Sequence, residues 1–173
     1  MTSSVTPWAT WGLFAAWLVH DVEEAATMSR WAQRARPELA ARFPAVPERA
    51  WRVLDVTPAQ AGIAIGSVGV VMAAAAADGA RTGGRSGFYQ AALVGFGLHA
   101  LSHLGASAAA RGYTPGVVTT PLVVAPFSIW AWRKLGAAGV PRKGGPSTWW
   151  AVAALPLTVG GGHALARWVT RRR

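Results

Sequence analysis

The sequence contains no cysteine. That excludes a disulfide framework, a thiolate metal site and a thiol nucleophile, so any metal must be held by imidazole, carboxylate, carbonyl or water. Charge is scarce as well: 14% of the 173 residues are Asp, Glu, Lys or Arg, against about 25% in average soluble domains. Acid is scarcer still, with 7 Asp and Glu against 17 Lys and Arg, a formal net charge of +10. Such a balance raises the question of nucleic-acid binding. The basic residues, however, lie between apolar runs and not along one stripe, so no nucleic-acid partner is expected. Arg and Lys facing anionic lipid account for them better. No internal repeat is visible.

What the chain has in quantity is apolar residues, 52% of the total. They fall into five runs, about Pro7–Met28, Pro58–Ala77, Gly87–Ala110, Val117–Trp132 and Thr148–Trp168. Each is near the roughly 20 residues that a membrane-spanning helix needs. The expected fold is therefore all-α: a polytopic membrane helical bundle of about five transmembrane helices, forming one domain over residues 1–173. The fourth run is the shortest and carries Pro121 and Pro126, so a kink or incomplete crossing is expected there. Thr57-Pro58 is a suitable N-cap and first-turn pair for the second helix. Gly62 and Gly66 have the small-xxx-small spacing that lets helices approach closely. The first run lacks the basic start and small-residue cleavage site of a signal peptide and reads as a retained helix.

Residues 29–56 carry Arg30, Arg34, Arg36, Arg42, Arg49 and Arg52, with Pro37, Pro44 and Pro47 between them. This linker reads as short amphipathic helices at the membrane interface that lid a site, or as a solvated connector with anchoring aromatics. With five spans, eleven Arg and Lys fall on the side of the linker and C-terminus and six on the other. The positive-inside rule then places the N-terminus outside and the C-terminus in the cytoplasm, in a bacterial cytoplasmic membrane.

The first run ends in His20-Asp21-Val22-Glu23-Glu24. A carboxylate at a helix centre in lipid costs roughly 2.5–3.5 kcal/mol on insertion scales, which marks it as functional. At about 100° per residue, His20, Glu23 and Glu24 share an arc of roughly 100°, while Asp21 points about 100° away from His20 and is expected to pair with an arginine. At 1.5 Å per residue, His20 lies about 18 Å from the outer end of the first helix, and His103 about 22 Å into the third. The same count puts His163 about 21 Å into the fifth. The titratable groups of three helices thus share one depth. His99 and His103 are four apart on one helix face, a spacing suited to chelation. Tyr113-Thr114-Pro115-Gly116 follows as a turn, with Pro setting φ and Gly supplying positive φ.

His-x-x-Glu-Glu near the N-terminus, a later histidine (His103) and the Tyr-x-Pro-Gly box together resemble the HXXEE-motif family of small integral membrane proteins. The resemblance covers the first through fourth helices. It implies a fold and a site that includes His20, Glu23, Glu24 and His103, more than it implies a reaction. The pattern also loosely resembles intramembrane metal-dependent endopeptidases of the CAAX-processing type, but the spacing around Glu-Glu and before His99 differs, and protease activity does not carry over.

Two enzymatic readings follow. In the first, His20, Glu23, Glu24, His99 and His103, with His163 as a possible addition, hold a divalent metal such as zinc or iron. Glu23, Glu24 and the Tyr113 phenol then take acid–base or hydrogen-bonding roles on a lipid-like or isoprenoid-like substrate. In the second, the chain is a metal-free isomerase or terpenoid cyclase. Its carboxylic acids protonate an olefin in a cavity lined by Trp11, Trp17 and Trp130. A proton- or cation-handling or cofactor-binding membrane protein is the reading from another class.

Overall fold

In a computed structural model of the chain, the described residues are 5–141, 160–162, 164 and 166–170. Among them there are helices and turns and no strand. The order is α1 (Pro7–Arg42), α2 (Glu48–Trp51) with a 3-10 turn (Arg52–Leu54), α3 (Pro58–Thr82) and α4 (Gly87–Ala110). A π-helical turn (Thr120–Val124) then runs directly into α5 (Ala125–Ala137).

Helix α1 is 36 residues long, about 54 Å at 1.5 Å per residue and well beyond the roughly 30 Å of a hydrocarbon layer. It runs through the acidic cluster, past Met28 and past Pro37. The first half of the expected linker is therefore a continuation of α1. Apolarity ends near Met28, but helix propensity does not: Ala, Arg, Gln and Leu fill the stretch to Arg42. Arg36 then pairs with Glu48 and with Asp55 (2.9 Å), tying the connector back to α1. Arg42 donates to the carbonyls of Ala109 (3.2 Å) and Ala110 (2.7 Å). It thus sets a cation on the C-terminus of α4, where the helix dipole is negative.

Helix α3 starts on a capping box in which Thr57 and Gln60 satisfy each other's backbone N–H groups. Ser86 caps α4 by accepting from the Tyr89 N–H. Helix α1 packs against α3, α4 and α5, while α3 and α5 do not touch each other. The core between them is Leu13, Trp17, Met72, Tyr89, Leu93 and Phe96, closed by Val124 and Leu135. Within the helices, three close approaches need glycine. A methyl at Gly12 would lie 2.7 Å from the Phe127 ring, one at Gly69 would lie 2.5 Å from Trp17, and one at Gly79 would lie 2.5 Å from Tyr89. The Gly62/Gly66 pair has no such role, since both face open space among the described residues. The small-xxx-small spacing falls on the outward face of α3, and the contacts are made by Gly69 and Gly79 instead.

The outside of the bundle is apolar. Trp8, Val70, Leu101 and Leu122 are each more than 60% exposed, and Leu18, Val22, Leu98 and Ile129 are also exposed. Of the five expected spans, α3 and α4 are long and apolar enough to cross a membrane. Helix α1 brings Asp21, Glu23 and Glu24 into the length that a span would need, and α5 has 13 residues. Most of the fifth run, and His163, lie outside the described residues.

Candidate metal centre

The two helices that carry the motif histidines meet in the middle of the bundle. His20 and Glu24 project from α1 one turn apart, and His99 and His103 do the same from α4. One ligand atom from each of the four lies within 4.8 Å of the others. His20 Nε2 stands 3.2 Å from His103 Nε2, and His103 Nε2 stands 2.8 Å from His99 Nε2. Glu24 Oε1 is 3.5 Å from His103 Nε2. Nitrogens about 2.0–2.1 Å from a tetrahedral zinc are about 3.3 Å apart, so these separations are of the size a shared ion imposes.

The far side of each ring decides what faces inward. His103 Nδ1 is 2.8 Å from the Pro115 carbonyl, which can only accept, so Nδ1 carries the hydrogen and Nε2 a lone pair. The Thr119 hydroxyl donates to Glu23 Oε2 (2.6 Å) and therefore accepts from His20 Nδ1–H (2.8 Å). The Ser102 hydroxyl donates to the His99 carbonyl (2.6 Å), leaving it an acceptor for His99 Nδ1–H (3.3 Å). All three Nε2 lone pairs thus point into one space. Even with His99 in its other tautomer, donating to His103, the His20–His103 pair still sets lone pair against lone pair. A cation relieves that contact and offsets the Glu24 charge at the same time. Outer hydrogen bonds that fix imidazole tautomers in this way are the habitual support of metal ligands.

The Tyr-x-Pro-Gly box builds this support. Tyr113 donates through its hydroxyl to Glu23 Oε1 (2.9 Å), and its carbonyl accepts from the Trp31 indole N–H (2.7 Å). Partial burial raises the Tyr113 phenol above its ordinary pKa, which keeps it a donor. Pro115 supplies the carbonyl for His103. Gly116 has φ +81°, and a methyl there would lie 2.6 Å from the His103 ring and 2.7 Å from the His20 ring. The Gly116 carbonyl accepts from Thr120 N–H (3.0 Å) and from the Thr120 hydroxyl (2.8 Å). The π-turn follows at once. It contains Pro121, which has no N–H, and such turns recur at functional sites.

Of His-x-x-Glu-Glu, His20 and Glu24 therefore join the group that could hold a metal ion, and Glu23 anchors the loop. Glu23, expected as a metal ligand or base, lies outside the group. Its Oε2 accepts from the Thr119 N–H (2.9 Å) and hydroxyl, and its Oε1 from Tyr113 and the Val118 N–H (3.3 Å). Tyr113 touches Glu23 and Thr27, not the four converging side chains. The motif, the later histidine and the box are now all accounted for on one site, and the family model of proteins of unknown function with an HXXEE motif matches residues 11–131. The chain belongs to that HXXEE family. No curated protein and no solved structure matches it.

Two cavities flank the HXXEE centre. One, of about 140 Å³, lies between α1, α3 and α4, with Glu24, His99 and Asp21 at its polar end. The other, of about 200 Å³, reaches Glu24 and His103 from beneath the connector residues Val53, Leu54 and Val56. Asp21, expected to point away and pair with an arginine, is buried and lines the first cavity. Its signal was its i, i+3 relation to Glu24, not its angle to His20. Trp17 lines the same cavity, whereas Trp11 and Trp130 are partly exposed elsewhere. Thr119 is the functional residue that spacing did not point to.

Proposed function

We propose that this chain is a membrane-embedded, metal-dependent enzyme. His20, Glu24, His99 and His103 hold one divalent ion in the inner half of the bilayer, and the substrate is lipid-like or isoprenoid-like. The observation that carries the reading is the convergence of three imidazole lone pairs and a carboxylate, with each ring's other nitrogen already spent as a donor. Three nitrogens and one oxygen suit zinc or iron. Four protein ligands fill a tetrahedral zinc but leave two positions on a six-coordinate iron, so catalysis on zinc requires one ligand, with Glu24 the most mobile in kind, to make room. When bound, the ion supplies a Lewis acid and holds two helices together.

The chain's own residues then do the following. Thr119, Pro115 and Ser102 hold the three rings in one tautomer. Glu23 holds Thr119 and the loop. The apolar wall of Trp17, Met72 and Phe96 receives hydrocarbon and excludes water. The apolar exterior of the bundle favours lipid as its surroundings, and the arginines of the protruding end of α1 favour an anionic, cytoplasmic membrane face.

Elemental analysis of detergent-purified protein tests the centre. About one zinc or iron per chain is expected in the wild type and a large loss in His103→Ala and Glu24→Ala. Equal content in all three would remove the proposed ligand set. The second reading, a metal-free isomerase or cyclase, draws on the two carboxyl groups at the end of an apolar cavity. Activity or ligand binding in protein without stoichiometric metal would favour it.

A further inference from the structure

Asp21 has no role in the centre as described. It is 7% exposed, and no hydrogen-bond or ion-pair partner meets it among the described residues. It faces a cavity whose walls are Trp17, Ala64, Met72 and Phe96 and whose other polar groups are Glu24 and His99. A buried carboxyl with no hydrogen-bond partner is costly, and protonation relieves its charge but leaves an O–H and a C=O to satisfy. Among the described residues, the other polar groups that line this cavity are no partners of Asp21, so the partner sought is one that suits a carboxyl in either protonation state. A hydroxyl does so, since it donates to a carboxylate and accepts from a carboxylic acid. The volume, about 140 Å³, resembles that of an apolar cavity of about 150 Å³ that accommodates benzene.

We infer that this cavity is a ligand subsite for a hydrocarbon alcohol, with a benzene-sized apolar body against Trp17 and Phe96 and its hydroxyl hydrogen-bonded to Asp21. The inference deepens the enzyme reading and rests on it for the hydrocarbon class of the ligand. Asp21 is then a specificity-determining residue, not a metal ligand.

The test titrates benzyl alcohol, and toluene as its apolar match, into the full chain reconstituted in nanodiscs with zinc. Empty nanodiscs are subtracted, and metal content is measured on every sample. The wild type is expected to bind benzyl alcohol saturably and several-fold tighter than toluene, the difference that one hydrogen bond makes. Asp21→Ala is expected to bring the two ligands together while keeping its metal, and Ala64→Phe to abolish saturable binding of both. Should Asp21→Ala fail to fold, Asp21→Leu, which fills the same space without a polar group, is expected to bring the two ligands together in the same way. An unchanged preference in the Asp21 variants, binding undiminished by Ala64→Phe, or lipid partitioning alone would overturn the subsite. An Asp21-dependent preference in samples that hold no metal would support the subsite and overturn the metal centre instead.

Discussion

One end of the α1 seam is finished by the chain itself, and the other is not. Toward the start of α1, rings fill the spaces that glycines leave: Phe127 on Gly12, Trp17 on Gly69 and Tyr89 on Gly79. Polar groups there end on backbone, the Tyr89 hydroxyl on the Ala9 carbonyl and the Thr10 hydroxyl on that of Pro7. One turn beyond Trp17, the histidine nitrogens face one another and Asp21 faces a cavity. Residues of the first kind complete the fold, while those of the second kind converge on space in which an ion or a ligand could bind.

Removing a ligand should break this contrast most strongly. His103→Ala deletes the atom shared by both short nitrogen contacts, and metal stoichiometry by elemental analysis should fall from about one per chain to near zero while helix content by circular dichroism is kept. Gly116→Ala comes next. Its φ of +81° puts an alanine in a region that costs roughly 1–2 kcal/mol, and the methyl also drives into both rings. Lowered thermal stability and weaker metal binding together are expected.

Thr119→Val removes the hydroxyl between His20 and Glu23 without touching the ligand set. Loss of an outer partner typically costs 10–100-fold in metal affinity, measurable by chelator competition. In the same assay, affinity should fall as pH falls, because protons compete for the same lone pairs. Wild-type affinity that is flat with pH would argue against imidazole ligation. The packed end gives the smaller effects. Gly69→Ala should destabilise by about 1–3 kcal/mol through overpacking against Trp17. Gly62→Ala, on open surface, should be neutral or stabilising by up to about 1 kcal/mol. Thermal unfolding in detergent separates the two.

Spacing made much of the site legible. His99 and His103 had to share a face, and His20 and Glu24 had to share another, because the helical period fixes both. The period does not say which of two adjacent carboxylates meets a loop 90 residues away, so Glu23 was read as a ligand when its oxygens belong to Thr119 and Tyr113. Thr119 carried no mark, since a hydroxyl beside a turn is ordinary until its two neighbours are known. The apolar runs likewise located four helices but not the end of α1. Hydropathy reports where lipid would stop, whereas the Ala- and Arg-rich stretch to Arg42 continues the helix beyond that point.

The three histidines are one residue type but not one donor. His20 leans on a hydroxyl that is itself tied to the Glu23 carboxylate, His103 leans on a carbonyl, and His99 has a hydroxyl at 3.3 Å. Negative charge relayed to an imidazole enriches its free nitrogen in electrons, so among the three rings an ion in this seat would be gripped hardest by His20 and least by His99. The ring with the weakest hold would then be the one that, with Glu24, borders the cavity between α1, α3 and α4.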